Sequence, residues 1–186
     1  DAVLAIIITI MVLELEVPHE PTLHALAESA TGLLTYLLCF VYLGIYWNNH
    51  HQLFQLVSRV RGGVLWANLH LLLWLSLVPF TTAWMDVQFA PTPVMVYGVN
   101  LLLAGLAFLL LQHSIVRVEG PDRPLRQALG RDLKGKISPL IYLVGIIGSL
   151  LWVWLGIAAY VLVAVIWLVP DRRPEPFIHR HAGGPD

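Results

Sequence analysis

Long apolar runs separated by short polar stretches make up most of this chain. Runs of about 20 apolar residues are typical of transmembrane helices. The pattern predicts helices over residues 1–16, 24–57, 64–85 and 94–116, and an uncharged apolar segment over 137–169.

Prolines and segment lengths set the predicted helix boundaries. Pro18 and Pro21 end the first helix, and Pro79 lies inside the third, where neighbouring helices can satisfy the backbone groups that it frees. Residues 137–169 would be about 50 Å long as one helix, too long for a single crossing. We therefore expect two short helices that form a hairpin, with the turn near residues 152–156.

Composition indicates the protein class. The chain is 58% hydrophobic and only 12% charged, with a mean hydropathy of +0.73, whereas a soluble domain has about 25% charged residues. The sequence therefore predicts an all-α, polytopic membrane protein with one six-helix transmembrane domain over residues 1–169 and a disordered tail over 170–186. The net charge of −1 gives no indication of a nucleic acid partner.

The distribution of charge favours six membrane crossings over five. With six, all 11 Lys and Arg residues lie on one side of the membrane. The other side carries only acids: Glu14, Glu16, Glu20, Glu28 and Asp86. The positive-inside rule then predicts that both termini are cytoplasmic and that the protein lies in the cell inner (plasma) membrane.

One face of the first helix is a candidate ion pathway. Ile6, Thr9, Ile10 and Leu13 are spaced so that they share a face. Several copies around an axis would make a narrow, poorly wetted tube, with Thr9 offering a hydroxyl oxygen to a cation. The same pattern is also typical of lipid-facing or packing residues, and the periodicity leaves both interpretations open.

The ends of this helix differ in character. Glu14 and Glu16 would form rings of negative charge at an entrance in a symmetric oligomer, or they belong to a solvated loop. The helix, about 22 Å long, is shorter than the hydrocarbon core, so we expect at least one further turn before Asp1. A signal peptide is disfavoured because the run has no basic start and no small-residue cleavage site.

Polar residues recur at the depth where the first helix begins. They are Asp1, Trp47, Asn48, His50, His51, Asn68 and His70. One interpretation is a hydrogen-bonded clamp that holds the first helix against its neighbours, and the other is a haem or metal site. Adjacent histidines point about 100° apart on a helix, so His50 and His51 would not bind one ion together, which favours the clamp.

Motifs for catalysis are missing from the sequence. It contains no P-loop, dinucleotide fingerprint, TVGYG filter or nucleophile with a nearby base, and Cys39 is its single cysteine. We therefore expect no enzyme activity and no cofactor. A secondary cation-coupled transporter is the alternative to a channel, although no paired Gly/Pro interruptions support it. A haem or redox subunit is the third possibility.

The chain resembles the transmembrane protein 175 family. The resemblance rests on Asp1 with the following Ala-Val-Leu-Ala-Ile-Ile-Ile-Thr-Ile-Met-Val-Leu-Glu-Leu, on Trp47-Asn48-Asn49-His50-His51, and on Asn68 followed by Pro79-Phe80. The family's Phe-Ser-Asp signature is represented here only by Asp1.

The resemblance implies a potassium-permeable channel. Prokaryotic members have six helices per subunit, assemble as homotetramers and line the pore with the first helix, without a re-entrant filter loop. The family's constriction of bulky aliphatic residues matches Ile6, Ile10 and Leu13. A threonine that contributes to ion selection matches Thr9, so potassium is expected near Thr9.

Overall fold

The computed structural model describes residues 2–13, 15, 17–55, 57, 60–119 and 133–168. The eight helices within these residues are α1 (Ala2–Leu13), α2 (Leu23–Glu28), α3 (Ala30–Gln55), α4 (Gly62–Ser76), α5 (Val78–Val87), α6 (Pro91–Glu119), α7 (Leu133–Leu151) and α8 (Val153–Leu168). The predicted all-helical fold is confirmed for the described part of the chain. The tail over 170–186 lies outside it.

Four helical segments are long and apolar enough to cross a membrane. They are Ala30–Gln55, Gly62–Val87, Pro91–Val118 and Lys134–Leu151, while Ala2–Leu13 and Val153–Leu168 are apolar but shorter. The protein is therefore a multi-pass membrane protein by the length and composition of its helices. The mean α-helical rise makes the 12 residues of α1 about 18 Å long.

The second predicted helix is interrupted near its start. The prediction was one helix over 24–57, but α2 ends at Glu28 and α3 begins at Ala30. Thr22 caps α2, because its hydroxyl oxygen accepts a hydrogen bond from the Ala25 N–H at 3.2 Å. The interruption is confined to Ser29, whose N–H donates to the Ala25 carbonyl at 3.3 Å and whose carbonyl accepts from the Leu33 N–H at 3.2 Å.

The third predicted helix is also two helices. Leu77 separates α4 from α5, and Pro79 lies in the first turn of α5. A proline has no N–H for the helical ladder, so the interruption occurs where it is least costly. This interruption packs against α6, and the Asn100 side chain of α6 bonds to backbone groups on both sides of it. We call the interruption the kink. With its amide oriented to satisfy both polar atoms, Asn100 donates to the Trp74 carbonyl at 3.1 Å and accepts from the Val78 N–H at 3.2 Å.

The final apolar segment forms the predicted hairpin. The helical run breaks at Trp152, inside the predicted range of 152–156. Close packing of α7 on α8 depends on glycine, because a Cβ at Gly156 would lie 2.8 Å from the Ser149 side chain. At the other end of the hairpin, the Trp167 indole N–H donates to the Ser138 hydroxyl at 2.8 Å.

Tyrosines fill the space between α3, α6, α7 and α8. The rings of Tyr97 and Tyr160 are 5.7 Å apart between centroids, and Tyr42 and Tyr142 lie 6.4 Å from Tyr97 and 6.3 Å from Tyr160, respectively. Tyr42 donates to the Tyr160 carbonyl. Tyr160 in turn donates to the Val94 carbonyl at 3.2 Å. These contacts hold the two halves of the chain together.

Candidate ion pathway and its supporting contacts

The first helix has one buried face and one exposed face. Leu4, Ile7 and Met11 are 0%, 7% and 4% exposed and face the other helices. The rest of the helix surface is largely exposed and includes Ile6, Thr9, Ile10 and Leu13. The four residues predicted to share a face therefore do so, and that face is free to meet lipid or other subunits.

Contacts with α3 and α4 position this helix. The Met11 and Cys39 sulfur atoms are 3.2 Å apart in the buried seam between α1 and α3. Cys39 is fully buried, and as the single cysteine of the sequence it forms no disulfide within the chain. The orientation of the exposed face follows from this packing, since rotating α1 would expose Leu4 and Ile7.

Thr9 bonds to its own helix. Its hydroxyl donates to the Ile6 carbonyl at 2.9 Å. This back-bond is common for threonine in membrane helices. It consumes the only hydroxyl hydrogen and leaves the oxygen lone pairs available, so the exposed Thr9 oxygen can act as an acceptor toward water or a cation.

The predicted polar clamp separates into pairs. His50 is buried and its Nε2 lies 2.7 Å from Asn68 Oδ1, which connects α3 to α4. The rings of Trp47 and His51 are stacked with centroids 5.5 Å apart. The remaining pair is on α4, where Trp74 donates to His70 at 3.3 Å.

Only part of the predicted clamp is therefore brought together. His50 and Asn68 meet, while His51 and His70 have partners on their own helices. Asp1 lies outside the described residues, and Asn48 is exposed and accepts from Gln52 at 3.3 Å. Within the described ranges, no group of three or more His, Cys, Asp or Glu side chains could hold a metal ion.

The acids at the other end of α1 are partly described. Glu14 and Glu16 lie outside the described residues, so their predicted role is not tested. Glu20 is exposed in the connection to α2. Asp86 near the end of α5 is half-buried, and its Oδ1 lies 3.4 Å from the Thr35 hydroxyl of α3.

Comparison with known proteins identifies the family. The family described as the endosomal/lysosomal potassium channel TMEM175 matches residues 1–79. A protein named as a potassium channel in Chryseobacterium sp. (strain P1-3) is 48% identical over 176 residues, which cover 94% of this chain and 92% of that protein. The chain belongs to the TMEM175 family. The resemblance inferred from α1 and the Trp47–His51 region is thus confirmed.

Further similarities extend across most of the chain. The crystal structure of a lysosomal potassium-selective channel TMEM175 homolog from Chamaesiphon minutus has a TM-score of 0.75 and 28% sequence identity, with 91% of this chain and 92% of that chain covered. A 123-residue region is 28% identical to the mouse endosomal/lysosomal proton channel TMEM175, and covers 58% of this chain and 24% of that protein. The TMEM175 family consists of ion channels rather than enzymes.

Sequence reasoning missed two sets of residues. Asn100 is not among the residues that the sequence pattern singles out, yet it bridges the interruption between α4 and α5. The tyrosines Tyr42, Tyr97, Tyr142 and Tyr160 were not singled out. The sequence does contain a signal for Asn100. Pro79 frees backbone groups in its own helix, and an amide side chain on the next helix is a candidate partner for them.

Proposed function

We propose that this TMEM175-family chain forms a homotetrameric, potassium-permeable channel in which α1 lines the central pathway. The observation that carries the proposal is the exposed face of α1, with Ile6, Thr9, Ile10 and Leu13 opposite the buried Leu4 and Met11. One exposed helix face cannot enclose a tube, so a symmetric set of copies is required.

The aliphatic residues would form a hydrophobic constriction. Ile6, Ile10 and Leu13 are 56%, 50% and 81% exposed in the single chain. Rings of such side chains around a narrow axis favour dewetting, which opposes ion passage until the tube widens. Conduction in this proposal depends on the width and wetting of these rings rather than on a filter of backbone carbonyls.

Thr9 would supply the polar layer between the aliphatic rings. Because its hydroxyl hydrogen is bonded to the Ile6 carbonyl, its oxygen faces the pathway as an acceptor. Oxygen atoms are the ligands that alkali cations prefer, as in the carbonyl rings of potassium channels. We assign the potassium site to this layer.

Six membrane crossings in a bacterial inner membrane complete the proposal. The two shorter apolar helices, α1 and α8, would cross as the first and last spans. The basic residues Arg61, Arg117, Lys134 and Lys136 then lie on one side, which the positive-inside rule makes cytoplasmic together with both termini. Glu14 and Glu16 would attract cations at the opposite entrance.

The His50–Asn68 contact would support the cytoplasmic end of the pathway. It ties α3 to α4, the two helices against which α1 packs. The proposed clamp also includes Asp1, Trp47, His51 and His70.

Ion currents across planar bilayers test the proposal. We expect the purified protein to pass potassium electrogenically, without coupling to a second solute; obligatory coupling would instead indicate the transporter alternative. Ile6→Asn should raise the single-channel conductance, because an amide wets the constriction. Leu140→Asn changes a residue that is 62% exposed on α7 and serves as the control. An equal effect of both substitutions, or no effect of Ile6→Asn, would show that the pathway face is wrongly assigned.

A further inference from the structure

A polar cleft lies at the end of the molecule where α1 finishes. Its volume is about 840 Å³, and it is an open cleft bordered by the end of α1, the following connection, α2, the beginning of α3 and the end of α5. Its polar lining includes Ser29, Thr31, Thr35, Thr82 and Asp86. We call this the acidic-end cleft. It is separate from the exposed face of α1, because its α1 contribution is the buried Met11.

The Thr35 hydroxyl in this cleft has one hydrogen and two acceptors within reach, the Thr31 carbonyl and the Asp86 carboxylate. The Thr35 hydroxyl lies 2.8 Å from the Thr31 carbonyl and 3.4 Å from Asp86 Oδ1. Its single hydrogen is better placed on the shorter bond. The Thr35 oxygen and the Asp86 carboxylate then present lone pairs toward the same space, an arrangement that a cation between them would stabilise.

Close approach of the carboxylate to α3 depends on Gly32. A Cβ at this position would lie 3.2 Å from Asp86 Oδ2, which is tighter than ordinary contact. The absence of a side chain at Gly32 therefore lets the half-buried carboxylate lie directly against the helix backbone. Asp86 of α5 is therefore held against α3 and is not a freely solvated acid.

The described lining of the cleft offers no permanent positive charge to balance Asp86. Among the described residues that line it, none is Lys or Arg, and the groups able to carry a positive charge are the imidazoles of His19 and His24. Glu20 adds a second carboxyl group. A partly desolvated carboxylate without a fixed cationic partner favours a cation from solution.

We propose that the acidic-end cleft binds a hydrated divalent cation, with the Asp86 carboxylate and the Thr35 hydroxyl oxygen as its protein ligands. Hard divalent cations prefer oxygen ligands, and those that dehydrate reluctantly keep several waters around one or two carboxylates. The cleft has room for such a hydration shell. Since only one carboxylate is a ligand, we expect weak binding, with a dissociation constant on the order of 10⁻³ M or higher.

Mn²⁺ binding measured by electron paramagnetic resonance tests the site. The full chain is purified and placed in nanodiscs of zwitterionic lipid, so that the lipid adds no binding sites of its own. We expect saturable binding that Asp86→Asn weakens at least about tenfold and Thr35→Val weakens about threefold. Glu119→Gln, which removes the same charge at the far end of α6, should leave binding unchanged.

Competition and folding controls separate the outcomes. Ca²⁺ or Mg²⁺ should displace Mn²⁺, whereas displacement by an equal concentration of K⁺ would overturn the divalent assignment. Equal binding by wild type and Asp86→Asn would overturn the site. If Asp86→Asn fails to fold, Mn²⁺ binding by the Thr35→Val and Gly32→Ala variants tests the site instead. Unchanged binding in both variants would overturn the proposal. Because no current is measured, failure here leaves the proposed channel function untouched.

Discussion

The Thr9 hydroxyl donates a hydrogen bond within its own helix while its oxygen can still accept one from outside. Its hydrogen satisfies the Ile6 carbonyl at 2.9 Å, and its oxygen stays on the exposed face of α1. Such a back-bond is common for threonine in membrane helices, and here it leaves the oxygen lone pairs of Thr9 as the acceptor available to the proposed pathway.

Removing this oxygen should change ion preference. We expect Thr9→Ala to reduce the permeability of potassium relative to sodium several-fold, and Thr9→Ser to keep it, because serine retains the acceptor oxygen. The reversal potential under bi-ionic conditions measures this ratio. Ser76→Ala is a matched control, since Ser76 is exposed on α4 and donates to the Leu73 carbonyl in the same way. An unaltered reversal potential in Thr9→Ala would argue against a role in selection.

Gly98 is a buried position of α6 where one added carbon atom would disturb the packing. A Cβ added there would overlap the Tyr160 hydroxyl and ring and lie 2.9 Å from the Ile146 side chain. We expect Gly98→Ala to lower the free energy of unfolding by about 1–3 kcal/mol, because an overpacked core must shift.

Thermal unfolding in detergent measures the effect of Gly98→Ala. Gly44→Ala is the control, since a Cβ at Gly44 in α3 meets nothing within 4 Å. Alanine has a higher helix propensity than glycine, so Gly44→Ala should leave the melting temperature unchanged or slightly raised. Equal destabilisation by both substitutions would contradict the packing of Tyr160 against α6.

Among the helices, the interruption between α4 and α5 depends on a partner from another element. Pro79 removes a donor from the ladder, and Thr81 and Thr82 donate their hydroxyls to the Val78 carbonyl at 3.1 and 2.6 Å. Asn100 of α6 then bridges Trp74 and Val78. The kink is therefore a joint feature of α4, α5 and α6, which explains why α6 packs against both.

Replacing this bridge should destabilise the protein. Asn100→Leu keeps the approximate volume but leaves the Trp74 carbonyl and the Val78 N–H without their side-chain partner, at a cost of about 1–3 kcal/mol. The loss should appear as a lower melting temperature in detergent. Asn49→Leu removes an amide that bonds to the Ile45 carbonyl of its own helix at 2.8 Å, and it should have a smaller effect. If the two variants melt alike, Asn100 does not support the kink.

At the scale of the whole molecule, the proposed pathway requires other subunits to cover the exposed face of α1. The central proposal places four copies of this face around an axis. Single cysteines introduced in a Cys39→Ser background test this arrangement directly, because Cys39 is the only native cysteine. A disulfide requires Cα atoms about 4.4–6.8 Å apart, so it reports close contact.

We expect Ile10→Cys to form disulfide-linked dimers on mild oxidation. Ile7→Cys should not, because Ile7 is 7% exposed and faces α3 and α4. Non-reducing gel electrophoresis measures the linked fraction, and the native mass of the purified particle should equal four chains. Crosslinking of Ile7→Cys but not of Ile10→Cys would place the wrong face of α1 at the axis.

Local pattern alone predicted the class of the protein and the main helical segments, although not the interruptions at Ser29 and Leu77. Apolar run lengths predict the membrane segments, and prolines and segment length predict the breaks near residues 17–21 and within residues 152–156. The 3.6-residue period predicts the shared face of Ile6, Thr9 and Ile10. These features depend on residues only a few positions apart. Sequence therefore carries them without knowledge of the packing.

Tertiary structure decided which distant side chains meet. His50 contacts Asn68, whereas His70 contacts Trp74. Asn100 of α6 bonds to the interruption before Pro79. Thr35 lies beside Asp86, which is 51 positions away in the sequence. Periodicity places a residue on a face of its helix but does not state which helix covers that face. Only the packing of the helices, set by their shapes and small residues, brings those faces together.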